Sequence, residues 1–169
     1  MEDAAEEMAI ALHRELQSLN AAEGYITLGL YLEANEELEH IAPRRQTLPR
    51  PLMLKLCVYA GLQQWDLVEK VAAKMAQHEP TNANWPLWWA SAACRSQSVD
   101  AAVLILVGAL ERHPNNANIH YNLSCYENRL HHFKQARRHL ARAIQLDPRF
   151  NVLMEDAERP DLELLWMGV

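Results

Sequence analysis

The sequence predicts an all-α protein, an α-solenoid of three to four helix–turn–helix units, and three observations carry that prediction. Pro80, Pro114 and Pro148 stand 34 residues apart. Asn82-Ala83-Asn84 returns at the same interval as Asn116-Ala117-Asn118. Between the prolines, apolar residues recur at spacings of three and four, which puts them on one stripe of a helix. A period of this length matches a helix pair that buries its apolar face by stacking on the next pair. Such folds present a surface to another macromolecule and rarely hold a reacting group.

Numbering each unit so that the recurrent proline is its position 32 gives full units at 49–82, 83–116 and 117–150. Helix A of each begins near Arg50, Asn84 and Asn118. Asn84 and Asn118 are expected as N-caps, and Pro86 fits the first turn, where its missing N–H costs little. Helix B starts near Trp65, Val99 and Phe133 and runs to the residue before each proline, where the chain has to turn. Four columns define its buried stripe. Position 17 is Trp65, Val99 and Phe133, and position 20 is Val68, Ala102 and Ala136. Position 24 is Ala72, Leu106 and Leu140, and position 27 is Met75, Ala109 and Ala143. Small residues at 20 and 27 let two helices approach, while larger ones at 17 and 24 fill the gap.

One period earlier, Tyr31, Ala34, Leu38 and Ile41 continue the same columns, so residues 15–48 form an irregular fourth unit. A leading helix occupies residues 1–14, its apolar Met8, Ala9, Leu12, Leu16 and Leu19 continuing at helical spacing. Residues 151–169 break the period. There Pro160-Asp161-Leu162-Glu163-Leu164-Leu165-Trp166 reads as a capping helix whose Leu162, Leu165 and Trp166 would cover the flank left open by the last repeat. All these segments are expected to make one domain, since 169 residues can bury a sizeable core.

Composition narrows the function. Half of the chain is hydrophobic, with five glycines. The longest apolar run, Ala101 to Leu110, is too short to span a bilayer. Met1-Glu2-Asp3 does not open a signal peptide, so a soluble cytoplasmic protein without membrane attachment is expected. Cys57, Cys94 and Cys125 lack the close spacing of a zinc site and are expected to be reduced thiols. The net charge of −6 argues against nucleic acid as a partner. That charge is polarised. Residues 1–39 carry ten acids against Arg14, whereas residues 127–149 carry six Lys and Arg against Glu127 and Asp147.

On these columns the chain resembles the tetratricopeptide repeat (TPR) family over residues 15–150. Leu123, Ala136, Ala143 and Pro148 match the family's positions 7, 20, 27 and 32, and Trp89, Ala102, Ala109 and Pro114 match them one unit earlier. In unit 49–82 the match is weaker, with Lys55 where an apolar residue is expected and Leu56 where a small one is. The resemblance implies a concave groove lined by helix A positions 2, 5, 9 and 12. Those are Arg50, Met53, Cys57 and Ala60, then Asn84, Leu87, Ser91 and Cys94, then Asn118, Tyr121, Cys125 and Asn128. Arg95 and Arg129 follow one position later, at the rim. Such a lining suits a peptide with hydrophobic anchors and an acidic group. The Lys and Asn with which some TPR domains grip a carboxylate at positions 5 and 9 are missing, because position 5 is Met53, Leu87 and Tyr121.

Other constellations have plain readings. In Trp85-Pro86-Leu87-Trp88-Trp89, Trp89 falls on the core column and Trp85 packs on the preceding helix, which leaves Trp88 as the candidate for exposure. An exposed tryptophan would anchor an interface, although apolar stripes usually mean burial. His131 and His132 point to different faces when helical and do not converge on a metal. The basic run Lys134, Arg137, Arg138 and Arg142 reads as a solvated face. No phosphate-cradling loop, nucleophile elbow or catalytic carboxylate pair is present, so neither an enzyme nor a cofactor is expected. The leading expectation is a non-catalytic scaffold that binds a protein or peptide in its groove. Alternatives are a self-assembling structural protein, joined by its acidic head and basic last repeat, and a small acidic chaperone resembling those of type III secretion.

Overall fold

The computed structural model describes residues 2–154; the capping helix expected at 160–166 lies outside them. Among the described residues there are eight α-helices and no strand. They are α1 (Glu2–Thr27), α2 (Tyr31–Glu39), α3 (Pro49–Gly61), α4 (Trp65–His78), α5 (Asn84–Ser96), α6 (Val99–Ala109), α7 (Ala117–Arg129) and α8 (Phe133–Leu146). Short 3₁₀ helices follow α2 at Pro43–Arg45 and α8 at Pro148–Met154. Helix A and helix B start where the repeat placed them, to within a residue. The leading segment differs, because residues 2–27 form one uninterrupted helix instead of a separate helix before the first unit.

The turn between helices A and B shows how local physics sets the period. Each A helix ends with an amide bonded to the carbonyl five residues back, the pattern that satisfies orphan carbonyls at a helix C-terminus. These bonds are Leu30 to Tyr25 at 2.9 Å, Gln64 to Tyr59 at 2.8 Å, Ser98 to Ala93 at 3.0 Å and His132 to Glu127 at 2.8 Å. Every donor lies 34 residues after the last. The residue before the donor is left-handed at Gly29, Gln63 and His131, with φ of 73°, 58° and 61°. Only the first is a glycine, so the turn could not be found from glycine placement.

At the helix starts the capping asparagines are not the expected pair. Asn116 caps α7 by accepting the Ile119 amide at 3.0 Å, and Asn82 accepts the Asn84 amide at 3.1 Å. Asn84 and Asn118 already lie inside their helices. Asn116 is extended enough to turn its side chain back onto α7, whereas the residue before α5 is Ala83, which has no side chain to cap with.

The described residues fall into two compact units, one through Gln64 and one from Trp65. In the first, Ala22, Ile26, Ala34, Leu38 and Ile41 are buried with Leu54, Leu56 and Val58. Leu56, the apolar residue where a small one was expected, is fully buried there. Glu15 ties α1 to the 3₁₀ turn by accepting from the Ala42 amide and from Arg45 at 2.8 Å. In the second unit, Ala90, Ala102, Leu106, Ile119, Leu123 and Tyr126 make one core shared by α5, α6 and α7. Val68, Ala102 and Ala136 hold position 20 as a buried column, as the spacing required. Phe133 does not fill position 17: it is 53% exposed and meets the His131 ring edge to face.

The tryptophans are arranged otherwise than their columns suggested. Trp88 is buried, and Trp89 is half-buried. Trp85 is buried and donates its indole N–H to Glu79 at 2.7 Å, which pins the turn between α4 and α5. Trp88 is therefore no exposed anchor.

Candidate functional site

Helices α5 and α7, the A helices of the second unit, meet where Arg129 donates to the Cys94 sulfur at 3.1 Å. Their outward columns carry Asn84, Leu87, Ser91, Cys94 and Arg95 on α5. On α7 they carry Asn118, Cys125, Asn128 and Arg129. All of these are half-buried or exposed, while the intervening Ala90, Ala92, Ala93, Ile119 and Leu123 are buried. Leu87 and Cys94 reach the core from its edge. Helical geometry produces this division: residues three and four apart share a side, so burying one stripe fixes what the opposite stripe offers.

Side chains on this face are held by local contacts. Arg95 lies over the Trp65 ring, 4.5 Å from its centroid, and donates to Ser91 Oγ at 3.3 Å. A guanidinium over an aromatic face is favourable and oriented, so this cation has a fixed place rather than a freely sweeping tether. Asn122 donates to the Asn118 backbone carbonyl at 2.9 Å, an in-helix bond.

Tyr121 occupies a groove column yet is buried. Its ring stacks on Phe150 with centroids 4.8 Å apart and planes 27° apart. With Ala143 they form a second small core against which Ala117, Cys125, Leu140 and Ile144 pack. Burial pushes the phenol well above its ordinary range, and the neighbouring Cys125, its hydrogen-bond partner, adds to the shift. Packing is the alternative to groove contact for Tyr121, but its partner cannot be read from the repeat, because Phe150 lies in the segment that follows the last repeat helix.

The remaining groove residues of the sequence lie in the first unit. Cys57 is buried, and desolvation pushes its thiol up to about 11. It therefore lines nothing. Met53 is half-buried. Arg50 is turned to α1, donating to Asn20 at 2.8 Å and to Glu23 at 2.6 Å.

A polar cluster that the sequence did not single out lies between α7 and α8. His120 is buried, its Nε2 3.0 Å from the Pro114 carbonyl and its Nδ1 3.1 Å from Nδ1 of His139. The carbonyl can only accept, so Nε2 of His120 carries the proton and His139 donates through Nδ1. Burial, then the adjacent His120, hold His139 below its ordinary value, with Glu127 opposing and Arg138 adding. Glu127, also buried, faces His132 at 2.7 Å. These residues replace apolar contacts with a hydrogen-bonded network. Among the described residues no group of three or more His, Cys, Asp or Glu is placed to hold a metal ion. No described helix is long and apolar enough to cross a membrane.

Solved structures give the fold its relatives. MamA MSR-1 superposes with a TM-score of 0.60 at 24% identity, over 78% of this chain and 76% of that one. YrrB, a TPR protein with an unusual peptide-binding site, gives 0.63 at 16% identity over 84% of this chain and 73% of its own. A MamA RS-1 double mutant gives 0.62 at 16% identity, over 91% and 92%. The chain has the tetratricopeptide-type fold. No family model and no curated protein matches its sequence. At these identities the likeness is one of backbone architecture.

Proposed function

We propose that the chain is a non-catalytic interaction module that binds a peptide or protein on the outward face of α5 and α7. One observation supports this most directly: two neighbouring A helices turn amides, thiols, a leucine and two guanidiniums outward on one stripe, while their opposite stripe is buried. Apolar Leu87 and Cys94 would take hydrophobic anchors, and Arg95 and Arg129 would take an acidic group, as charge-assisted hydrogen bonds favour. The TPR-type fold supports the same reading, since its units build extended surfaces rather than enclosed pockets.

Self-assembly through the acidic head has less support. Glu15 and Glu23 are engaged by Arg45 and Arg50 within their own unit, which reduces the charge left for another copy.

The test is affinity capture with the full chain, wild type against Leu87→Asp and, separately, Arg129→Glu. Circular dichroism must first show unchanged helix content. Both substitutions are expected to release the same protein. Identical captures from all three chains would end the proposal. Tyr121→Asp is unsuitable, because it would place a charge beneath Phe150.

A further inference from the structure

We propose that the exposed half of α1 pairs, antiparallel, with the same segment of a second copy of this chain, so that the protein forms a reversible dimer. The inference is independent of the peptide-binding reading.

The first argument is what α1 lacks. It runs from Glu2 to Thr27, yet Ala22 is the first buried residue among its described side chains. Every residue from 6 to 14 is exposed, and the helix is first tied down where Glu15 accepts from the Ala42 amide and from Arg45. A helical stretch of that length, without tertiary packing, falls short of the ~12–15 residues that are marginal in water even for good helix formers. Nor is it polar all round. Met8, Leu12 and Leu16 are 60%, 52% and 47% exposed and follow one another at intervals of four. With Ala9 and the half-buried Leu19 they make one apolar stripe, the pattern of a helix that packs on another helix. A single exposed leucine needs no explanation, whereas a contiguous stripe marks an interaction site.

Charge and size select the occupant. Glu6-Glu7 and His13-Arg14 lie two turns apart in the exposed stretch. A parallel second copy would set acids level with acids. An antiparallel pair centred between residues 10 and 11 instead brings the Glu6-Glu7 turn of each copy level with the His13-Arg14 turn of the other, and two-fold symmetry repeats the match. The same register sets each Leu12 on Ala9 of the second copy, large on small, as knobs-into-holes packing requires. The stretch is thus complementary to itself turned end for end. This contact uses neither Glu15 nor Glu23, which Arg45 and Arg50 hold within the unit. Residues 6–16 span only ~15 Å of helix, so the pair buries less than the ~1,200 Å² of a stable complex and dissociates on dilution.

Sedimentation velocity of the full chain over about 5 µM to 1 mM tests the proposal. Wild type is expected to pass from one chain's 19.4 kDa toward twice that mass. Leu12→Asp removes an anchor from both copies and should raise the dissociation constant at least ~100-fold, which leaves a monomer throughout. Ile10 is similarly exposed but lies about 160° round the helix from Leu12, so Ile10→Asp should dimerise as wild type does. Glu6→Lys/Glu7→Lys should weaken the dimer about tenfold, and adding His13→Glu/Arg14→Glu should restore it. Should Leu12→Asp lose helix content by circular dichroism, Leu12→Gln decides by the same criterion. A wild type of one chain's mass at every concentration overturns the proposal and leaves the stripe to a different protein. Dimerisation of Leu12→Asp as strong as wild type, or equal loss in Ile10→Asp, overturns the stripe as the contact. Charge reversal without rescue overturns the antiparallel pairing.

Discussion

Two leucines on α6 stand two residues apart and face opposite environments. Leu106 is fully buried among Ala90, Ala102, Ile119, Leu123 and Tyr126, whereas Leu104 is 73% exposed. Truncating each to alanine removes the same atoms, so the difference isolates the environment. Leu106→Ala loses the transfer energy of its methyl groups and leaves a cavity, together worth ~2–5 kcal/mol in cores of this kind. Its neighbours Ala90 and Ala102 are already small and sit at helix crossings, so they cannot move in to fill the space. A cost of about 3 kcal/mol follows, equivalent to a fall of roughly 6–12 °C in the midpoint for a chain of this size. Leu104→Ala is expected to stay within ~0.5 kcal/mol, as surface substitutions do. Thermal unfolding followed by circular dichroism at a single scan rate, with urea midpoints as a second probe, measures both. Comparable losses for the two variants would show that α6 is rotated from the register described, and the core assignment of the second unit would fall with it.

Three further expectations come from single contacts. A Cβ at Gly61 would run into the Tyr31 ring, so Gly61→Ala should destabilise by ~1–3 kcal/mol. Gly24→Ala in open helix should instead stabilise by ~0.5–1 kcal/mol, so the two midpoints should move in opposite directions. Glu79→Ala leaves the buried Trp85 indole without its acceptor and should cost ~1–3 kcal/mol, with Glu79→Gln recovering most of it in denaturant titrations. His139 is held below its ordinary 6.5, so the folded chain resists protonating it while the unfolded chain does not. Its contribution is present in full above pH 6.5 and is lost as pH falls from there through the depressed folded value. Urea midpoints of wild type should decline over that interval more steeply than those of His139→Gln, and parallel profiles would refute the assignment.

The period, the class of every repeat helix and their starts were legible in the sequence because they are set locally. Prolines stop helices wherever they stand, and a three-four spacing marks a stripe without knowledge of its neighbour. The capping residues and the left-handed turns at Gln63 and His131 escaped because several polar residues compete for each, and a shift of two positions leaves the pattern intact.

Which side of a helix is buried was decided by sequence only where the two sides differ in polarity. In α8, basic residues mark the outside and Ala136 and Ala143 the inside. In α5 and α6 nearly every position is apolar, so periodicity selects no face. There the arrangement of neighbouring helices buried Trp88 and Leu106 and left Leu104 and half of Trp89 to water. The candidate site divides in the same way. Helical spacing alone aligned Asn84, Leu87, Ser91 and Cys94. Only contacts between distant segments turned Arg50 to Glu23, set Arg95 on Trp65 and covered Tyr121 with Phe150. Such contacts depend on where the chain returns in space, and a repeating sequence, whose units look alike, specifies that return least.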